Sequence, residues 1–124
     1  MFSLCLDGST RLNVKSRSGV TTFATDGSAP NPFEGALATI AGCAGVYAGK
    51  ACAAAGVSAE GIEIRLKPMV AAGSNDIRKL TIKTTFPVDF PRQLIPDVLA
   101  SIGECPVKKL IQHGDAVEFV IDGG

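Results

Sequence analysis

The feature that most limits how this chain can fold is one long helix signal filled with small residues, from Asn31 to Gly56. Asn31 suits a helix cap, Pro32 the first helical position, and Glu34 completes a capping box. Good helix formers then run to Ala55, and Gly56 is a natural C-terminal stop. Between those ends lie Ala36, Ala38, Ala41, Gly42, Ala44, Gly45, Ala48 and Gly49. Each internal glycine costs about 1 kcal/mol of helix propensity relative to alanine. Such a helix holds by packing closely against another surface, which predicts a buried central helix ~36 Å long. A chain of 124 residues has little of its own to wrap around it. A single domain over residues 1–124 and an obligate homodimer are therefore expected.

Strand signals flank the helix. Phe2 to Leu6 alternates apolar and polar residues up to an Asp7-Gly8 turn, and Leu12–Val14 and Val20–Phe23 continue the pattern. The opening third thus predicts a short antiparallel meander. Ile62–Leu66 and Leu80–Phe86 both alternate with period two and predict two half-buried strands, joined by a hairpin loop over residues 71–76. A second helix is expected over Pro91–Ile102. Pro96 removes a backbone donor inside it, so the helix either begins at Pro96 or is kinked there. A short helical turn should follow Cys105-Pro106-Val107 through Leu110, and a last strand should span Ala116–Ile121. The order βββ-α-ββ-α-β indicates an α+β fold with an antiparallel sheet.

Charge excludes some functions. Lys plus Arg and Asp plus Glu both number 12, so no overall basic field favours nucleic acid or an anionic membrane. The longest apolar run, Gly35–Gly49, is shorter than the roughly 20 residues of a bilayer span. Met1–Asp7 carries no basic export signal. A cytoplasmic location is expected, where four cysteines are reduced by default.

Few residues are equipped for chemistry. His113 is the sole histidine and sits beside a loop glycine, which suits an exposed turn better than a catalytic triad. No Cys-x-x-Cys pair supports a metal site, and no glycine-rich phosphate loop joins a strand to a helix, so neither metal nor cofactor is expected. The cysteines remain: Cys43 in Ala41-Gly42-Cys43-Ala44-Gly45, and Cys105 in Gly103-Glu104-Cys105-Pro106-Val107. Cys52 shares a helix with Cys43, nine residues on. Their Cα atoms lie beyond the ~7 Å a disulfide allows, so Cys52 and Cys5 are read as packing or incidental.

Asn31-Pro32-Phe33-Glu34-Gly35-Ala36-Leu37, followed by Ile40-Ala41-Gly42-Cys43, resembles the central-helix motif of the OsmC/Ohr family. Cys105-Pro106-Val107-Lys108-Lys109-Leu110 resembles that family's second cysteine motif, and the likeness runs in order over essentially the whole chain. The resemblance implies an intertwined homodimer that reduces organic hydroperoxides. It makes Cys43 the attacking thiolate, Cys105 the resolving thiol, and a cellular dithiol the reductant. It also implies an active-site glutamate ten residues before the first cysteine, whereas here Glu34 stands nine before and Phe33 holds the usual place. The family's partner arginine corresponds to Arg11 or Arg17, between which the sequence does not choose. Nine residues of helix span ~13.5 Å and half a turn, so a functional Glu34 would serve the cysteine of a partner chain. Glu34 also has a purely structural role available as the capping-box residue. Local physics, by contrast, favours Cys105 as the thiolate, because it would cap a short helix beside Lys108 and Lys109. The alternatives to a peroxidase are an OsmC-like dimeric binding or structural module and a redox sensor without efficient turnover.

Overall fold

A computed structural model describes residues 1–73, 77–112 and 118–120. The elements are β1 (Arg11–Ser16), β2 (Gly19–Ala24), α1 (Pro32–Ala54), β3 (Glu63–Val70), β4 (Ile77–Thr85), a 3₁₀ turn (Arg92–Leu94), α2 (Ile95–Ile102) and α3 (Pro106–Gln112). They form an α+β arrangement with two separate two-stranded antiparallel sheets, β1–β2 and β3–β4. The chain packs as two compact units, Met1–Thr39 and Ile40–Gly124.

In the first unit β1 pairs with β2 from Arg11↔Ala24 to Ser16↔Gly19. The expected strand over Phe2–Leu6 is reduced to one antiparallel bridge, in which Ser3 and Lys15 exchange two backbone bonds of 2.9 and 2.8 Å. Alternation alone does not make a strand. Phe2 and Leu6 are 77% and 73% exposed, so no apolar face is buried to hold the segment extended. The start of α1 follows its sequence signal closely. Glu34 N–H donates to Asn31 Oδ1 at 2.8 Å, and Asn31 N–H reaches back to Glu34 Oε1 at 3.5 Å.

In the second unit α1 ends on a Schellman motif. Val57 N–H donates to Cys52 C=O at 2.9 Å and Gly56 N–H to Ala53 C=O at 3.1 Å, with Gly56 at φ +69°. The core joins Ala44, Ala48 and Cys52 of α1 to Phe90 and to Val98 and Ile102 of α2. Ile64 of β3 and Phe86 pack on its edge. By length and composition the 23-residue α1 is long and apolar enough to cross a bilayer, longer than the uninterrupted apolar run suggested. Its buried residues stand at every fourth position, Ile40, Ala44, Ala48 and Cys52, and the last three join the core of the second unit.

The second hairpin is longer than its alternation signals, because β3 continues through Pro68, which pairs with Leu80. Among the described residues the sheet has two strands, so each keeps one edge where proline's missing donor costs no ladder bond. Pro96 falls in the first turn of α2, preceded by the 3₁₀ turn. That placement resolves the choice between a late start and a kink: the lost donor lies where no intrahelical partner exists. The strand expected over Ala116–Ile121 lies largely outside the described residues, and residues 118–120 are not in a strand.

Candidate active site

Three local features bring Cys43 and Cys105 together. Cys43 lies near the middle of α1, one residue before Ala44 of the buried stripe. Val98 and Ile102 bury α2 against that helix, and Ser101 Oγ donates to the Tyr47 carbonyl at 2.8 Å, fixing α2 on α1 near Cys43. A tight turn then follows. Gly103, Glu104 and Cys105 N–H groups donate to Leu99, Ser101 and Ile102 carbonyls at 3.2, 3.0 and 3.3 Å. This turn delivers Cys105 to the mouth of α3, where its carbonyl accepts the Lys109 N–H at 3.2 Å. Lys109 Nζ meets Glu104 Oε2 at 2.9 Å across that turn.

The two sulfurs are hydrogen-bonded to each other, and neither cysteine is in a disulfide. The Cys43 thiol is pushed above its ordinary value, first by this bond to Cys105, then by burial and by Cys105's charge. Two effects oppose the rise: the Val107 backbone N–H donates to the Cys43 sulfur, and the Lys50 ammonium attracts its charge. Access differs sharply between the partners. Cys105 is 3% exposed, whereas Cys43 is only half-buried.

Sequence reasoning missed the Val107 amide and Lys50. Lys50 was legible in principle: Cys43, Tyr47 and Lys50 stand at i, i+4 and i+7 on one helix stripe. Helical side chains lean toward the N-terminus, so the long lysine stem reaches back over Tyr47, with its ammonium 4.8 Å from the ring centroid. The Val107 amide had no such signal, because only the fold of the α2–α3 turn aims it.

Cys52 is buried in the core and Cys5 is exposed. Glu34 stands in the first turn of α1 with Oε1 engaged in the capping box. Arg11 opens β1, with its guanidinium 3.5 Å from Ser28 Oγ, and Arg17 lies in the β1–β2 turn. His113 lies outside the described residues. Among the described residues, no group of three or more His, Cys, Asp or Glu side chains could hold a metal.

Known structures share this fold. An OsmC-like protein from Mycoplasma pneumoniae is similar at 12% identity and TM-score 0.72, over 95% of this chain and 90% of that one. The organic hydroperoxide resistance protein OhrB of Bacillus subtilis is similar at 18% identity and TM-score 0.55, over 91% of each chain. A Legionella pneumophila protein described as organic hydroperoxide resistance protein OsmC gives 17% identity and TM-score 0.58, over 91% and 90%. No curated protein matches the chain. The family described as OsmC-like protein matches residues 25–120, with both cysteines inside the matched span, and the chain belongs to the OsmC-like family.

Proposed function

We propose that this protein is a thiol peroxidase that reduces organic hydroperoxides with Cys43 and Cys105. The observation that carries the reading is the contact between an accessible thiol, Cys43, and a buried one, Cys105, both reduced. The Cys43 thiolate attacks the terminal oxygen of the peroxide, the O–O bond breaks, and the alkoxide leaves and takes a proton to become the alcohol. Cys43 is then a sulfenic acid, which condenses with the Cys105 thiol to a disulfide and releases water. A dithiol reductant restores both thiols by exchange and is itself oxidised.

The active species is a homodimer in the cytoplasm, built on the close packing of α1 with a second copy. Glu34 belongs to this reading as the carboxylate of the site. At ~13.5 Å along its own helix from Cys43, it serves the cysteine of the partner. One observation favours a second reading, a redox sensor with slow turnover: Cys105 and burial push the Cys43 thiol above its ordinary value.

The test is hydroperoxide consumption with dithiothreitol as reductant. The unmodified protein should turn over many equivalents and Cys43→Ser none. Cys105→Ser should consume about one equivalent and stall as the Cys43 sulfenic acid. If Cys105→Ser is the variant that fails to react even once, the two roles are reversed. Stoichiometric disulfide formation without sustained turnover would select the sensor.

A further inference from the structure

The neutral charge of the whole chain conceals an uneven distribution. Along β3 and β4 the residues half-buried on one face are Ile64, Leu66, Leu80, Ile82 and Thr84. The register turns the alternate residues outward, and Arg65, Lys67, Lys79 and Lys83 all stand on that outer face, exposed. Arg65 lies directly opposite Lys83, and Lys67 is one position further along the same strand face. Like charges paired across a sheet repel. Among the described residues Glu63 is the only acidic one on this face, and it is already paired with Arg65. At the far end Met69, on the same outer face and directly opposite Lys79, is 59% exposed.

We propose that the outer face of the β3–β4 hairpin docks on an anionic lipid surface. Charge complementarity selects an anion, since four cations spread over about 13 Å of one strand face attract a dense array of negative groups. The exposed Met69 selects lipid among anions, because an apolar side chain rimmed by lysines fits the boundary between headgroups and acyl chains. Single-stranded nucleic acid is disfavoured: no aromatic side chain stands among the described outward positions to stack on a base. The docking surface does not depend on the thiol chemistry.

Cosedimentation of the full chain with phosphatidylcholine vesicles, with and without phosphatidylglycerol, tests this. Binding is expected only to the vesicles containing phosphatidylglycerol, and it should weaken as salt is raised. Lys67→Gln with Lys83→Gln should weaken it roughly thirtyfold, which is about 1 kcal/mol for each cation held near an anionic surface. Met69→Ser should weaken it several-fold at unchanged charge. Both variants should keep the circular dichroism spectrum and peroxide consumption of the parent. Equal binding by parent and double variant, indifference to phosphatidylglycerol, or binding to an RNA or DNA oligonucleotide but not to vesicles would each overturn the proposal. Loss of peroxidase activity in Cys43→Ser leaves the vesicle result unaffected, so the two readings fail separately.

Discussion

Alanine substitutions at Gly42, Gly45 and Gly49 test whether α1 packs against a second copy. The three stand at i, i+3 and i+7, on a face of the helix apart from the buried stripe of Ile40, Ala44, Ala48 and Cys52. A Cβ added at any of them meets nothing within 4 Å inside the chain. With no partner, each alanine should stabilise the fold by about 1 kcal/mol of helix propensity, about 3 kcal/mol for the triple variant. At this chain length, 1 kcal/mol raises Tm by roughly 4 °C. With a partner helix against the glycines, each methyl instead wedges a close-packed surface, at about 1–3 kcal/mol per site. The dimer reading therefore expects Gly45→Ala to lower Tm and weaken association, despite its better propensity. Gly35→Ala is the internal control, because its Cβ would overlap the Phe23 ring of the same unit and should destabilise with or without a partner. Thermal unfolding and light scattering at micromolar concentration read the outcome. A single-chain mass for the parent, or a triple variant several degrees more stable at unchanged mass, would refute the reasoning.

Mild oxidation should link Cys43 to Cys105 and leave Cys5 and Cys52 as thiols; non-reducing peptide mapping checks this, and Cys52 in the dominant disulfide would contradict it. Cys43 should be alkylated by iodoacetamide with a midpoint above that of an ordinary thiol. Because the bond to Cys105 is the largest cause of the rise, Cys105→Ala should move the midpoint to lower pH, and Lys50→Met should move it higher. Thr84 Oγ1 is buried with no hydrogen-bond partner among the described residues. Thr84→Val should therefore stabilise the protein by about 1 kcal/mol in denaturant unfolding, and a loss of stability would show that the hydroxyl finds a partner in the assembly.

How far the sequence could be read followed the range of the interactions involved. Both ends of α1 were legible, because Asn31 and Glu34 cap it within three residues and Gly56 ends it through bonds spanning one turn. The β3–β4 alternation was legible for the same reason, as each strand records its own two faces. The segment from Phe2 to Leu6 carried an equally clear alternation and is not a strand, since alternation states which face could be buried and not whether anything covers it. The basic outer face of β3–β4 escaped a count of charges, because it exists only once the register sets Arg65 against Lys83. The pairing of Cys43 with Cys105 came from family resemblance alone. In the structure it depends on the Ser101–Tyr47 bond and the burial of Val98 and Ile102, all contacts between residues far apart in sequence.

In the proposed peroxidase reading, ionisation and access decide which thiol attacks. The sequence placed Cys105 at a helix mouth near lysines and Cys43 in an apolar helix, which favours Cys105 as the thiolate. The structure agrees in direction, since the Cys43 thiol is pushed above its ordinary value, first by Cys105. Each unit by which a thiol is raised costs tenfold in thiolate at a given pH, about 1.36 kcal/mol. Thiolate nucleophilicity rises with pKa with a slope of about 0.4–0.5, however, which returns roughly threefold of each tenfold. The net cost to Cys43 is therefore only about threefold per unit, and the Val107 amide and Lys50 reduce the rise itself. Access admits no comparable compensation. A peroxide must align its O–O bond with the attacking sulfur, and at 3% exposure Cys105 offers no such approach without local opening of the α2–α3 turn. A slower but reachable nucleophile outcompetes a readier one that the substrate does not meet. On that reading Cys43 attacks, and Cys105, beside it, resolves.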